Sequence, residues 1–100
     1  IDVTNLCDYM VLSFYAGNDW DWWERHNWAA AGPKSADRGG WKFFQQDSDI
    51  CLQDVAADCT DQAVPDGIFG ALMRFSDFLV LFRDRVYQHC FNGGALTRAA

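Results

Sequence analysis

The sequence predicts one α+β domain, and three observations carry that prediction. A helical apolar period opens the chain, two short aromatic-rich strand patterns flank a polar turn in the middle, and the helical period returns in the last third. One hundred residues, 50% of them hydrophobic, hold one modest core and leave no room for a second, so residues 1–100 read as a single domain. The first helix is predicted over 4–16. It opens on Thr4, an N-cap residue type, and stops at Gly17-Asn18. Leu6, Met10, Ser13 or Phe14 and Gly17 recur at spacings of three and four, and Tyr9 and Val11 widen the apolar stripe until the helix should be largely buried.

From Gly17 to Trp28 the period collapses, and carboxylates alternate with indoles in Asp19-Trp20-Asp21-Trp22-Trp23. Exposed Trp is costly and buried Asp needs partners, so this loop reads as more than a connection. A hairpin is predicted around 28–46: Trp28 to Ala31 and Trp41-Lys42-Phe43-Phe44 are the strands, and Gly32 to Gly40 is the polar turn between them. Its second strand runs straight into Asp47-Ser48-Asp49. Residues 53–65 read as loop, closed by Pro65. Asp66 then caps a helix carrying Ile68, Phe69, Leu72, Met73 and Phe75, and Ser76 caps another, stopped by Gly93-Gly94. These two helices are expected to pack through Phe69, Leu72, Phe78, Phe82 and Val86.

Charge and composition exclude several function classes. Asp and Glu number 14 against 8 Lys and Arg, a net charge of −6, whereas a nucleic-acid footprint needs a basic face that releases counterions. No nucleic-acid partner is expected. No apolar run reaches the roughly 18 residues of a membrane span, and Ile1-Asp2-Val3-Thr4 has no basic signal-peptide n-region. Without a starting Met, the chain reads as an internal fragment of a longer polypeptide. Cys7, Cys51, Cys59 and Cys90 contain no C-x-x-C, which disfavours zinc. Cys7 and Cys90 fall in apolar helical patterns, leaving Cys51 and Cys59 as the pair suited to a local disulfide.

The polar residues converge on oxygen chemistry. Asp47 and Asp49, at the end of a strand, offer two hard ligands for magnesium, manganese or calcium. An EF-hand over Asp47 to Asp58 is excluded, because Leu52 stands where glycine is required and Asp58 where the bidentate Glu belongs. Asp19, Asp21 and Asn27 precede the hairpin that carries Asp47. Protein kinases have the same order: a loop Asp, then a metal-binding Asn, then a strand pair that delivers the metal Asp. The spacing here differs, eight residues from Asp19 to Asn27 or six from Asp21, and only the order agrees.

These residues resemble the CotH kinase-like family, named for a spore-coat member and frequent in secreted multidomain bacterial proteins. The resemblance runs through the stretch from Asp2-Val3 to Asp8-Tyr9-Met10, then Tyr15-Ala16-Gly17-Asn18-Asp19-Trp20, His26-Asn27-Trp28, Gly40-Trp41-Lys42-Phe43-Phe44 and Asp47-Ser48-Asp49. It continues through Arg83-Asp84-Arg85-Val86-Tyr87 and Phe91-Asn92-Gly93-Gly94-Ala95-Leu96-Thr97. It implies a partial protein-kinase-like C-lobe without its N-lobe, acting with ATP and Mg or Mn on a Ser or Thr of a protein substrate, at the cell surface or outside the cell. Asp19 would be the catalytic loop carboxylate, and Asn27, Asp47 and Asp49 would hold the metal. Gln46 stands where the family has an aromatic residue, and the loop around Trp22-Trp23-Glu24-Arg25 is longer, which leaves Asp19 and Asp21 both open as the loop carboxylate. No glycine-rich phosphate loop can be located, and the only lysines, Lys34 and Lys42, sit in or beside the hairpin. The remainder of the parent polypeptide would have to supply those parts.

Two other readings remain. Trp20, Trp22, Trp23, Trp28 and Trp41 could form an aromatic platform for sugar rings, with the interleaved Asp and Asn accepting sugar hydroxyls. The chain could also be an inert structural module of a secreted protein. His26, His89, Arg83, Asp84 and Arg85 read as ordinary surface residues, the last three as a solvated or ion-paired helix face.

Overall fold

The computed structural model describes residues 1–17, 27–49, 51–60 and 67–98. The loop expectations on Asp19, Asp21, Trp20, Trp22, Trp23 and His26, and the cap expected at Asp66, lie outside the described residues.

Helix α1 spans Val3–Ala16. Its N-cap is Asp2, two residues earlier than Thr4: the Asp2 carboxylate accepts the Asn5 N–H at 2.9 Å, satisfying a donor that the first turn leaves free. At the other end Gly17 takes the left-handed conformation (φ 62°) and its N–H closes onto the Phe14 and Ser13 carbonyls. The predicted burial is observed. Leu6, Cys7, Met10 and Ser13 are completely enclosed, and Tyr9, Val11 and Ala16 nearly so.

The hairpin pairs β1 (Trp28–Ala31) with β2 (Lys42–Gln45) in antiparallel register, Trp28 opposite Gln45 and Ala30 opposite Phe43. A single 3-10 turn, Ala36–Arg38, lies in the connection. The other edge of β2 meets α1. The Phe43 N–H donates to Asn5 Oδ1 at 2.6 Å, Asn5 Nδ2 donates to the Phe43 carbonyl at 3.4 Å, and the Asp2 N–H donates to the Trp41 carbonyl at 2.8 Å. A side-chain amide thus stands in for a third strand, and the edge is closed without one. This close approach requires Gly40, since a Cβ there would fall 2.2 to 2.3 Å from the backbone of Ile1 and Asp2.

Two helices follow, α2 (Ile68–Leu72) and α3 (Ser76–Cys90). Ser76 is the first helical residue of α3 and not its cap; the extended Phe75 holds that position and no side chain caps the end. Nor does Gly93-Gly94 stop the helix. It has already ended at Cys90, and the glycines fold the chain back so that the Leu96 N–H reaches the His89 carbonyl at 2.9 Å.

The core is aromatic. Phe69 makes edge contacts with Phe14, Phe78 and Phe82 at centroid distances of 5.7, 6.0 and 5.0 Å, and Phe43 packs between Tyr9 and Trp28 at 6.0 and 5.9 Å. Leu72 and Phe82, both half-buried, pack against this cluster as expected; Val86 is half-buried as well but is not part of it. Cys51 and Cys59 are not bridged: the Cys51 thiol donates to the Ser48 carbonyl at 2.8 Å, and Cys59 is buried against the C-terminal turn of α1. Among the described residues no helix is long and apolar enough to cross a membrane.

Asn5→Ala leaves both polar groups of Phe43 without their partner on a partly buried edge. Urea unfolding should show a loss of about 1–3 kcal/mol, whereas Asp37→Asn, exposed in the hairpin connection, should be near neutral.

Candidate functional site

The register of the hairpin brings together residues that the sequence separates. With Trp28 opposite Gln45, the next pair outward is Asn27 and Gln46, and the Gln46 N–H donates to the Asn27 carbonyl at 3.0 Å. Asp47 follows directly, so Asn27 and the Asp47-Ser48-Asp49 turn emerge at one end of the hairpin. Both flanking residues are left-handed, Asn27 at φ 57° and Asp47 at φ 47°. Asn and Asp tolerate that conformation better than other side chains with a Cβ, so their identity serves the turn as well as any ligand.

The turn is tied down on both sides. The Ser48 carbonyl accepts the Cys51 N–H at 3.4 Å as well as the Cys51 thiol. Beyond it the Leu52 N–H donates to the Ala16 carbonyl at 2.7 Å, which holds an apolar residue at φ 61°. The Asp47 and Asp49 side chains remain exposed and Asn27 is half-buried. The donor set is an amide oxygen and two carboxylates, all hard oxygens. Among the described residues no three His, Cys, Asp or Glu form a group that could hold an ion by themselves. Magnesium does not need one, because it commonly takes one or two carboxylates and completes its shell with water and phosphate oxygens. Of the residues expected at the site, Asn27 and Asp47 are brought to one end of the hairpin by the backbone bond between Asn27 and Gln46, and Asp49 follows two residues on; Asp19 lies outside the described residues. Of the tryptophans, Trp28 is half-buried against Phe43, and Trp41 lies over Gly32 with half its surface exposed.

A second polar cluster was not expected. Asp8 on α1 accepts a bidentate pair from Arg85 on α3, Nε to Oδ1 at 2.6 Å and Nη2 to Oδ2 at 2.8 Å, and His89 Nε2 lies 2.9 Å from Oδ1. Arg85 Nη1 also donates to Gln88 Oε1 at 2.8 Å. Burial pushes the Asp8 carboxyl up, but the hydrogen bonds and charges of Arg85 and His89 outweigh it and hold it below the ordinary carboxylate value. The hydrogen bond to Asp8 raises Arg85 in turn. Next door, burial and then the Asp8 charge push the Cys7 thiol up to about 11, which makes it an inert apolar filler. The fork geometry and the mutual pairing identify this cluster as a clasp between helices. The only sequence signal for it is i, i+4 spacing of Arg85 and His89, and their common partner is 77 and 81 residues away.

Comparisons with protein-family models, with curated proteins and with solved structures each return no match to this chain.

Because the folded Asp8 is more acidic than the unfolded one, its contribution is present above the unfolded value near pH 4 and is lost as pH falls through the folded value. At neutral pH Asp8→Asn should cost about 1–2 kcal/mol, the lower part of the range for charged hydrogen bonds, since the carboxylate is a third exposed. Urea unfolding at a series of pH values should show the gap between wild type and Asp8→Asn closing from pH 5 to pH 3. A gap that widens with acid would contradict the assignment.

Proposed function

We propose that this chain is part of the C-lobe of a CotH-like atypical protein kinase, in which Asn27, Asp47 and Asp49 hold a divalent cation that neutralises nucleotide phosphates. The observation that supports the reading most is the hairpin register, which sets Asn27 opposite Gln46, the residue before Asp47. The donor chemistry agrees, since an amide oxygen and two carboxylates suit Mg or Mn and leave positions for ATP oxygens. The bound cation would supply charge neutralisation at the transferring phosphoryl group. The chain's own part is to hold the oxygens on a backbone already pinned to α1, so that little ordering is required on binding. In this proposal Asp19, or Asp21, would be the loop carboxylate that orients the acceptor hydroxyl of a protein Ser or Thr. With no phosphate-binding glycine loop in its sequence, the chain by itself is expected to show no phosphotransferase activity in a radiolabelled ATP assay with Mn.

A thermal melt tests the site. Cation that binds only the folded protein should stabilise it by about 2.7 kcal/mol at a hundredfold excess over the dissociation constant. Asp47→Asn is the diagnostic change, because Asn keeps the tolerance for positive φ at this position while removing the charge. It should abolish the metal-dependent shift and leave the metal-free protein equally or slightly more stable. Asp37→Asn, in the connection at the far end of the hairpin, should keep the full shift. Equal shifts in wild type and Asp47→Asn would remove Asp47 from the ligand set.

A further inference from the structure

We infer that the C-terminal end of α1, with the Leu52–Val55 loop beside it, is a docking site for an arginine on a basic segment of a partner protein. The inference is independent of the cation reading above, since it uses other residues and another ligand, and either can fail without the other.

Leu52 is the starting point. It is an apolar residue at φ 61°, a conformation that costs a side chain with a Cβ about 1 kcal/mol or more. Its N–H is held by the Ala16 carbonyl at 2.7 Å, yet its side chain is 70% exposed and returns no burial to the fold. Val55 is fully exposed, and Tyr15 in the last turn of α1 is half-exposed. Single exposed apolar residues need no explanation. These three line one cavity of about 270 Å³, together with Ala16, Gly17 and Asp54. Small-molecule sites run from about 300 to 1,000 Å³, so a space of this size suits one inserted side chain better than a cofactor.

Electrostatics select which side chain. The carbonyl end of a helix carries partial negative charge, and α1 has no basic residue in its last turn to offset it. Asp54 Oδ1 accepts the Ala56 N–H at 2.8 Å, and among the described residues no cation pairs with this carboxylate. From Phe43 to Met73 the sequence has six aspartates and no Lys, Arg or His. The charge complement of this surface is therefore a basic segment. Arginine fits both halves of the cavity lining: its aliphatic stem can lie along Leu52 and Val55, while its planar guanidinium stacks on the Tyr15 ring and forks onto Asp54. Lysine carries the same charge but has neither the plane nor the fork.

The test is fluorescence anisotropy of a fluorescein-labelled peptide, Gly-Arg-Gly-Arg-Gly-Arg-Gly, and of its analogue with lysine at every arginine. The arginine peptide should bind wild type more tightly than the lysine peptide, and Leu52→Asn, Val55→Ser and Asp54→Asn should each weaken it about five- to tenfold. All three variants should keep the fold. Asn suits the positive φ of position 52 better than Leu, so Leu52→Asn should melt at an equal or higher temperature. Asp54→Asn retains an oxygen for the Ala56 N–H, and Val55→Ser alters a fully exposed side chain. Asp37→Asn removes the same charge from the hairpin connection and should bind as wild type does. Equal affinity for the two peptides, or equal losses in Asp37→Asn and Asp54→Asn, would reduce the binding to attraction by net charge and overturn the site. No binding to wild type, or affinity unchanged in Leu52→Asn, would overturn it as well. Sedimentation of the unliganded protein checks the other occupant: a monomer is expected, and a dimer that Val55→Ser dissociates would assign the surface to a second copy of the chain and overturn the proposal.

Discussion

The Asn5 amide, set across the N–H and C=O of Phe43, closes the edge of β2 onto α1, and the positions of the other elements follow from that junction. A two-stranded hairpin is marginal in water and exposes two edges. Here α1 covers one of them with a side chain whose donor and acceptor match those of a strand, and Asp2 adds a backbone bond to Trp41 beside it. The same helix then presents Tyr9 and Phe14 to the aromatic rings of the hairpin and of the C-terminal helices. Its Asp8 engages Arg85 and His89 on α3. Three polar residues of this helix, Asn5, Asp8 and Ser13, are each matched to a partner elsewhere, Asn5 and Ser13 on β2 and Asp8 on α3. Burying them is tolerable only because those partners are in place.

This arrangement separates what holds the candidate site from what would act in it. Asp47 and Asp49 are exposed, while the backbone on either side of them is bonded to Asn27, just before β1, and to Ala16 at the end of α1. Exposed carboxylates on a fixed frame can take up a hydrated cation with little reorganisation, and rigid support of this kind is what oxygen-ligand sites for small divalent ions require. The aromatic core beneath them, centred on Phe43 and Phe69, supplies the apolar burial that a domain of this size needs to keep the frame folded.

Much of the frame was legible in the sequence, for local reasons. The period of Leu6, Met10 and Phe14 announces α1 and its burial, and Trp28 and Phe43 on either side of a glycine-rich turn announce the hairpin, because each signal lies within one element. Helix starts were less legible. Thr4 and Ser76 are good cap residues, yet Asp2 is the better acceptor with Asn5 three residues on, and Ser76 is drawn into the helix by the extended Phe75 before it. The Asp8 clasp was illegible, since Arg85 and His89 look like a solvated face until α3 is laid against α1. Residue type and order pointed to Asn27, Asp47 and Asp49, but the pairing that sets Asn27 opposite Gln46 depends on the Trp28–Gln45 register, which a four-residue strand cannot specify by pattern alone.

The central claim is that one end of the hairpin is a cation site built from residues on both of its strands' outward extensions. Paramagnetic broadening tests it most directly, in a 1H–15N spectrum of the assigned protein titrated with substoichiometric Mn2+. The account predicts selective loss of the amide signals of Asn27, Gln46, Asp47, Ser48 and Asp49, with the Asp54 to Asp58 loop and the Arg85 region of α3 unaffected. Broadening centred on the Asp54 to Asp58 loop, or spread evenly over the acidic surface, would contradict it.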